Sequence, residues 1–520
     1  MAASGSPSID LSAALVMQAT PLSDWLIIAP VALCICAGAV LMMVRHAMRL
    51  HSLIAIAALA ILVVIDAALL WKVMTNGPFT MVMGRWLAPF GIAFTADLTG
   101  AVLALTGAIA ALACAVHARG DIDHASTRYG FYPFLMLLMA GVSGAFLTGD
   151  IFNLYVWFEV LLVSSFGLIV LGSSREQIDG ALKYAVLNLI GTTLFLIAVG
   201  YLYAVFGTLN MADIAVKVTA DDTSAPLMTL ACLFLLAFAM KAAAFPVNFW
   251  LPASYHTPKV VVSALFGGLL TKVGIYALLR VMIMLFPVQR EELSIVIAAI
   301  AVLTMILGAM GALAQNDLRR VLGYVVISGI GTMLAGLAIG SPAAVGGVVF
   351  YALNSVVLMT ALYLAVGHAA RLGGAWMLSD LSGLYARTPW FAGLVLALFL
   401  AGSGLPPFSG FWPKVMLTKA AIDIGAWWLA ASILVSGFLL TIAFARMFLL
   451  CFWRSSPPGM KEVAPLETVP SFVPLVALTA LVVGFGLFPE SIMQLSQQAA
   501  DQLADPSAYI RSVFPPRGMP

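Results

Sequence analysis

Charged residues are scarce in this sequence. Asp, Glu, Lys and Arg make up 9% of its 520 residues, whereas a soluble globular domain carries about 25%. A soluble particle of this length could not cover its surface with so few charges, so most of its outer face must contact lipid. The formal net charge is only +2, which gives no indication of a nucleic-acid partner.

Metal-binding and redox patterns are also lacking. The five cysteines are scattered and no two have CxxC spacing, which argues against a disulfide framework, a redox pair and a metal site. No two of the six histidines have metal-ligand spacing, and no Rossmann glycine motif or iron–sulfur cysteine cluster is present. The sequence therefore predicts no metal and no cofactor. Residues 1–24 have neither a basic start nor a compact apolar core, so no cleavable signal is expected.

Long apolar runs are what the sequence has in abundance. A helix that spans a bilayer needs about 20 such residues, and about fourteen runs approach this length. They lie near residues 25–44, 52–71, 97–117, 131–149, 151–172, 184–206, 227–250, 260–286, 294–314, 321–340, 343–367, 389–417, 426–451 and 470–489. The joints are too short for a soluble catalytic domain, although those around 72–96 and 207–226 have room for a hairpin or a surface helix. The pattern predicts an all-α, polytopic membrane protein.

The distribution of basic residues predicts the orientation of the chain. Thirteen Lys and Arg residues lie in joints that follow odd-numbered runs, and seven lie on the other side. Because cytoplasmic loops carry the excess of Lys and Arg, the odd-numbered joints are predicted to be cytoplasmic. With an even number of helices, both termini are then expected outside the cytoplasm.

Two apolar segments are interrupted by proline in a similar way. One reads FAMKAAAFPVNFWLP at 238–252, and the other reads AGSGLPPFSGFWPK at 401–414. Proline breaks the helical hydrogen-bond ladder, and paired interruptions in the two halves of a transporter point to its ion site. The pattern predicts two repeats. We divide the chain into N-terminal helices (1–129), a first repeat (130–286), a second repeat (287–451) and a C-terminal helix with its tail (452–520).

Ionisable residues inside these runs are costly in lipid and therefore need an explanation. Glu159, Lys241 and Lys272 lie deep in theirs. Glu159 is either a carboxylate held by a structural partner or one that pairs with a lysine on a nearby helix. The two lysines either extend to the membrane interface or exchange protons, since a lysine removed from water releases its proton more readily.

Other charged residues favour structural roles. Arg280 and Arg446 lie nearer helix ends, which favours extension to the interface or capping of carbonyl groups. For Asp66 and Asp97 the sequence does not decide between a functional and a structural role, and the structural one is capping or anchoring of a helix near the interface. His256 follows the first proline break and is either a surface residue or part of a proton path.

Four stretches resemble a known family. They are GDIFNLYVWFEVLLVSSFGLIVLG, KAAAFPVNFWLPASYHTPKVVVSALFGGLLTKVGIYALLR, DLSGLYARTP and GLPPFSGFWPK. They are similar to the antiporter-like membrane subunits shared by respiratory NADH:quinone oxidoreductase and the Mrp/Pha cation/proton antiporters. Chain length, the NLYVWFEV stretch and the lysine after the second break are most similar to the D-type subunits of the Mrp/Pha antiporters.

The resemblance implies fourteen transmembrane helices with two inverted five-helix repeats, each containing a broken helix. It also implies a proton relay of glutamate and lysine along the middle of the membrane. The matching positions are Glu159 in helix 5, Lys241 in helix 7, Lys272 in helix 8 and Lys414 in helix 12. Possible accessory residues are His256, Tyr276, Asn354 and Ser355.

Helix 11 departs from the family pattern. Family members usually place a lysine there, often preceded by histidine, whereas Met359 occupies the lysine position in this sequence. Asn354 and Ser355 stand where histidine is expected. The second repeat therefore lacks a titratable group at this point, and we predict that water held near Asn354 and Ser355 takes its place.

Three functions are compatible with the sequence. The first is a non-enzymatic subunit of a monovalent cation/proton antiporter in a bacterial inner membrane, exchanging Na⁺ or K⁺ for protons with partner subunits of the A, B, C, E, F and G types. The alternative is a proton-pumping membrane subunit of an NADH:quinone oxidoreductase or hydrogenase-type complex. The third is a scaffold that has lost transport, suggested only by Met359.

Overall fold

Helices make up most of the protein. The structure, a computed structural model, describes residue 15 and residues 20–219, 226–455 and 469–514. Two residues used to predict the orientation, Lys461 and Arg517, lie outside these ranges, as do both termini.

Every predicted apolar run contains a helix. The helices are α1 Ala29–Met43, α2 Met48–Asn76, α3 Leu98–Asp121, α4 Phe131–Leu147, α5 Ile151–Ile169, α6 Arg175–Phe206, α7 Leu227–Ala242, α8 Val260–Leu285, α9 Ser294–Ala314, α10 Leu318–Ile339, α11 Pro342–Gly373, α12 Pro389–Ser403, α13 Phe411–Asp423, α14 Trp427–Trp453, α15 Val469–Leu487, α16 Glu490–Ala504 and α17 Ser507–Val513. Among the described residues, nine helices are long and apolar enough to cross a membrane, or ten if α15 and α16 form one bent span. The predicted class is confirmed, but the number fourteen is not.

Short elements fill the joints. An antiparallel hairpin pairs β1 (Phe79–Val82) with β2 (Ala93–Ala96), with Phe79 opposite Ala96. This confirms the expected hairpin in the joint at 72–96, and a helix at Met211–Thr219 confirms the expectation for 207–226. The remaining short helical turns are Leu22–Ile27, Met83–Arg85, His124–Arg128, Trp250–Ser254, Pro287–Glu292 and Leu384–Arg387.

Polar residues at the joints determine where several helices begin. Asp97 accepts a hydrogen bond from the Gly100 amide (2.9 Å) and so caps α3, as expected for this aspartate. Asp150 caps α5 in the same way, through the Asn153 amide at 2.8 Å. Such caps satisfy amide groups that the first helical turn leaves without partners.

The centre of the protein is formed by α8, α10 and α11. Every residue of α11 from Ala344 to Ala370 is buried, whereas α2, α6, α9 and α14 expose apolar side chains along one face. An apolar exposed face is stable only against lipid or a partner of similar polarity. The central helices carry Lys272, Asn354 and Ser355, so these polar residues lie deep inside protein.

Two arginines have different roles in the structure. The Arg446 guanidinium donates to the carbonyls of Leu313 and Gln315, which confirms carbonyl capping, here at the end of α9. The same expectation for Arg280 is wrong. Arg280 is fully buried and forms an ion pair with Asp97, because a guanidinium inside the bundle needs a carboxylate partner.

Candidate functional site

The first helix break lies inside the protein. Helix α7 ends at Ala242, and Ala243 adopts a left-handed conformation (φ 62°) that stops the helix. The freed Phe245 amide donates to Thr304 Oγ1 of α9 (3.0 Å), and the Trp250 indole donates to the Met240 carbonyl (3.2 Å). The break is stable at this depth because its backbone groups find partners within the protein.

Lys241 lies at this break and faces a small cavity whose lining includes a few polar groups. It is 7% exposed, and the cavity of about 20 Å³ is also lined by Tyr184, Asn188 and Tyr255. A space of this size holds about one water molecule if polar partners surround it. Among the described residues, the Tyr255 hydroxyl has no hydrogen-bond partner, so it is available to such a water.

Glu159 and Lys241 are brought near each other but do not form an ion pair within the described structure. Lys241 Nζ lies 5.7 Å from the ring centroid of Phe158, the residue before Glu159. Phe158 in turn stacks on Phe238 of α7, with ring centroids 5.9 Å apart. Aromatic rings thus hold α5 and α7 together beside the two charged groups.

The second break is closed by Lys414 itself. Helix α12 ends at Ser403, and Lys414 Nζ donates to the freed Ser403 carbonyl at 2.7 Å. Gly404 has a φ of +80°, and a Cβ added there would lie 2.7 Å from Lys414 Cδ. A glycine is therefore needed both for the backbone conformation and for the lysine to reach across the break.

A second small cavity joins Lys414 to α11. It also measures about 20 Å³ and is lined by Asn354, Ser355 and Met359 together with Tyr351. Asn354 Oδ1 is buried and has no hydrogen-bond partner in the described structure. The cavity thus resembles the first one in combining a lysine, an asparagine and a tyrosine.

Lys272 lies in α8, which packs against both α7 and α11. Lys272 is 1% exposed, and its Nζ donates at 2.5 Å to the carbonyl of Gly267, a residue of the π-helical turn Phe266–Leu270. The next glycine, Gly268, allows α8 to approach α11, since an added Cβ would lie 2.4 Å from Thr360 Oγ1. Lys272 Nζ therefore lies beside the glycines through which α8 contacts α11 at Thr360.

Tyr276 and His256 are held by other contacts. The Tyr276 hydroxyl donates to the Phe146 carbonyl (2.8 Å) and accepts from Arg280 Nε (3.0 Å), so both hydrogen-bonding functions are engaged. His256 Nδ1 donates to the Pro252 carbonyl at 2.9 Å, and its Nε2 accepts from Arg320 at 3.0 Å. These contacts fit only neutral histidine, in agreement with a pKa lowered by burial and then by Arg320.

Sequence reasoning missed Tyr184, Asn188, Tyr255 and Tyr351, which line the two cavities. An asparagine in the middle of an apolar run, such as Asn188, was the available signal. In the described part of the chain, no group of three or more His, Cys, Asp or Glu residues could hold a metal ion.

The sequence pattern described as "NADH:quinone oxidoreductase/Mrp antiporter, TM" matches residues 148–441, more than half of the chain. The chain belongs to this family. The matched segment contains Glu159, Lys241, Lys272 and Lys414, so all four proposed relay positions lie in the part that defines the NADH:quinone oxidoreductase/Mrp antiporter family.

Relatives within the family are similar over almost the whole chain. The D subunit of the Na(+)/H(+) antiporter of Alkalihalophilus pseudofirmus is 38% identical, with 94% of this chain and 99% of the relative covered. The protein of the same name from Bacillus subtilis is 35% identical, with the same coverage. A chain in the structure of the Mrp complex from a Dietzia species superimposes with a TM-score of 0.86 at 28% identity, covering 95% of this chain and 100% of that one. The family resemblance predicted from the four motifs is confirmed.

Proposed function

We propose that this chain is a D-type subunit of a multisubunit monovalent cation/proton antiporter. It transports ions and catalyses no reaction of its own. The observation that carries the proposal is the set of three lysines at membrane depth, of which Lys241 and Lys272 are buried and Lys414 is half-buried. Lys241 and Lys414 each line a water-sized cavity at a helix break, and Lys414 also lines a wider cavity of about 530 Å³. An ionisable residue at membrane depth is costly, so it indicates a functional site by default.

Protons would move in short steps between groups that titrate or hold water. In the first repeat, Glu159 and Lys241 exchange a proton beside the cavity that contains Tyr255. Lys272 lies between the halves, and Lys414 serves the second repeat. Met359 cannot titrate, so water bound by Asn354 and Ser355 would carry the proton past it. The assignment of the two repeats to 130–286 and 287–451 is part of this proposal.

The proposed setting is a bacterial cell membrane, in a complex with other antiporter subunits of the A, B, C, E, F and G types. The names of the relatives and the Mrp complex support such partners. We place the odd-numbered joints, including the one that contains His256, in the cytoplasm. Reporter fusions test this orientation, because a fusion at Arg319 should be active inside the cell and one at the C-terminus outside it. The reverse activities at both sites would discard it.

Transport measurements on inverted vesicles test the proposed function. Vesicles that contain the whole complex are acidified by respiration, and cation addition should restore the fluorescence of a pH-sensitive dye. Lys241→Ala and Glu159→Ala should each abolish this recovery while the complex still assembles. The matched control is Lys183→Ala, which removes a lysine that is 51% exposed and paired with Asp179. Wild-type recovery in Lys241→Ala or Glu159→Ala would refute the relay.

The same assay identifies the cation and separates the alternative function. Na⁺ and K⁺ added separately, each as the chloride, report which ion is exchanged. A proton-pumping subunit of a redox complex would give no recovery with either cation. It would instead make acidification depend on electron flow through its own complex.

A further inference from the structure

Asp66 is a buried acid outside both repeats. It lies in α2, is 0% exposed, and neither carboxyl oxygen has a hydrogen-bond partner in the described part of the chain. It is therefore not a helix cap or an interface anchor, which excludes the structural interpretation that the sequence had left open. Asp66 also precedes the segment 148–441 that matches the family, so the proposed relay does not account for it.

The surroundings of Asp66 are apolar. Leu62 and Leu69 lie one turn before and after it on the same buried face of α2, and both are 0% exposed. Among the described residues, the one titratable neighbour that interacts with it is Cys34 of α1, itself buried. No charged side chain of the described structure compensates the carboxyl group.

Asp97 shows what an ionised aspartate needs in this protein. It is equally buried, but it receives the Arg280 guanidinium and the Gly100 amide. Burial of an isolated carboxylate without such donors costs far more than burial of a neutral carboxyl group. The neutral group can also donate its own O–H, which an ionised carboxylate cannot do.

We propose that Asp66 is a proton-binding site among the N-terminal helices, occupied by a proton in the folded protein and separate from the lysine relay. The proton keeps the packed face of α2 uncharged, so α1, α2 and α3 can remain in contact. Ionisation would place an unpaired charge between them. Asp66 thus holds one proton per chain that the relay does not need.

Infrared difference spectroscopy on the purified complex at neutral pH tests this proposal. The wild-type spectrum minus that of Asp66→Asn should show one protonated carboxyl C=O band, shifted by deuterium oxide, and no carboxylate bands. The control is Asp179→Asn, which removes an exposed, ion-paired aspartate. Its difference spectrum should show carboxylate bands and no protonated band.

A second variant keeps the test valid if Asp66→Asn fails to assemble. Asp66→Glu retains the carboxyl group, and its protonated C=O band should move to the glutamic acid position. Carboxylate bands in the Asp66 difference spectrum would overturn the proposal, whether the charge is balanced by a bound cation or by a partner subunit. Because the measurement needs no transport, it is independent of the proposed antiporter function.

Discussion

Replacement of Asn354 by leucine tests how protons pass Met359. Asn354 Oδ1 has no protein partner in the described structure and faces the cavity that contains Lys414 and Ser355. Leucine has a similar size but offers no acceptor to a water molecule. We expect Asn354→Leu to dry the cavity and slow transport, while the complex assembles normally.

The magnitude follows from the acceptor that a buried water molecule loses. Leaving a buried donor without its partner costs about 1–3 kcal/mol. If the loss falls on the barrier for proton transfer, the rate decreases about 5- to 150-fold, since each 1.36 kcal/mol is tenfold. The free energy of unfolding should change little, because leucine is similar in size and loss of the hydrogen bond to water is offset by removal of a buried polar group.

The assay is the initial rate of dye recovery in inverted vesicles that contain equal amounts of assembled complex. Ser436→Ala is the control, because it removes a buried hydroxyl of α14 that lines neither small cavity. Met359→Lys should be tolerated, since the two side chains are similar in length and the cavity already accommodates polar groups. A wild-type rate in Asn354→Leu, with loss of transport in Lys414→Ala, would show that protons do not cross this cavity through water.

Three further predictions follow from other contacts. Gly404→Ala should destabilise the second break by about 1–3 kcal/mol and displace Lys414, whereas Gly393→Ala, in open space, should behave like wild type in a melting assay of the complex. Arg280→Met leaves a buried aspartate unpaired and should lower the free energy of unfolding by about 3–5 kcal/mol in denaturant titrations; an unchanged midpoint would contradict this. The pKa of His256 is lower in the folded protein than in the unfolded chain, so the unfolded chain takes up a proton at higher pH. The contribution of neutral His256 to stability is therefore fully present above about pH 6.5 and is lost as the pH falls below that value. His256→Gln should flatten this acid loss in pH-dependent melting, and an unchanged acid slope would count against it.

The helices and breaks could be predicted because their signals are local. An apolar run long enough for a helix is visible in the residues themselves, and so is the proline that ends it. The cap at Asp97 is equally local, since the aspartate directly precedes α3. The number of membrane spans was harder to predict, because four apolar helices among the described residues have only 10–17 residues. Length alone does not establish that they cross a membrane.

Long-range contacts were beyond sequence reasoning. Arg280 and Asp97 are separated by 183 positions, and nothing near either residue identifies the other as its partner. The cavities are similar cases, because Tyr184 and Tyr255 approach Lys241 only after α6, α7 and the joint before α8 have packed. Sequence reasoning could identify which charges required an explanation but not which partners supplied it.

The two breaks achieve a similar arrangement from different positions in the sequence. Lys241 lies five residues before Pro246, whereas the residue five before Pro407 is Gly402. Gly402 lines the second cavity, so that cavity lacks a lysine from the first half of its broken helix.

The lysine of the second cavity, Lys414, comes from the other half of the broken helix, and its Nζ donates to the freed Ser403 carbonyl. Because the lysine comes from the opposite side of the break, its distance to α11 depends on the glycine turn between the two half-helices. The asparagine and serine of α11 then supply the polar groups that Met359 lacks, which is why this departure from the family pattern is compatible with a conducting second half.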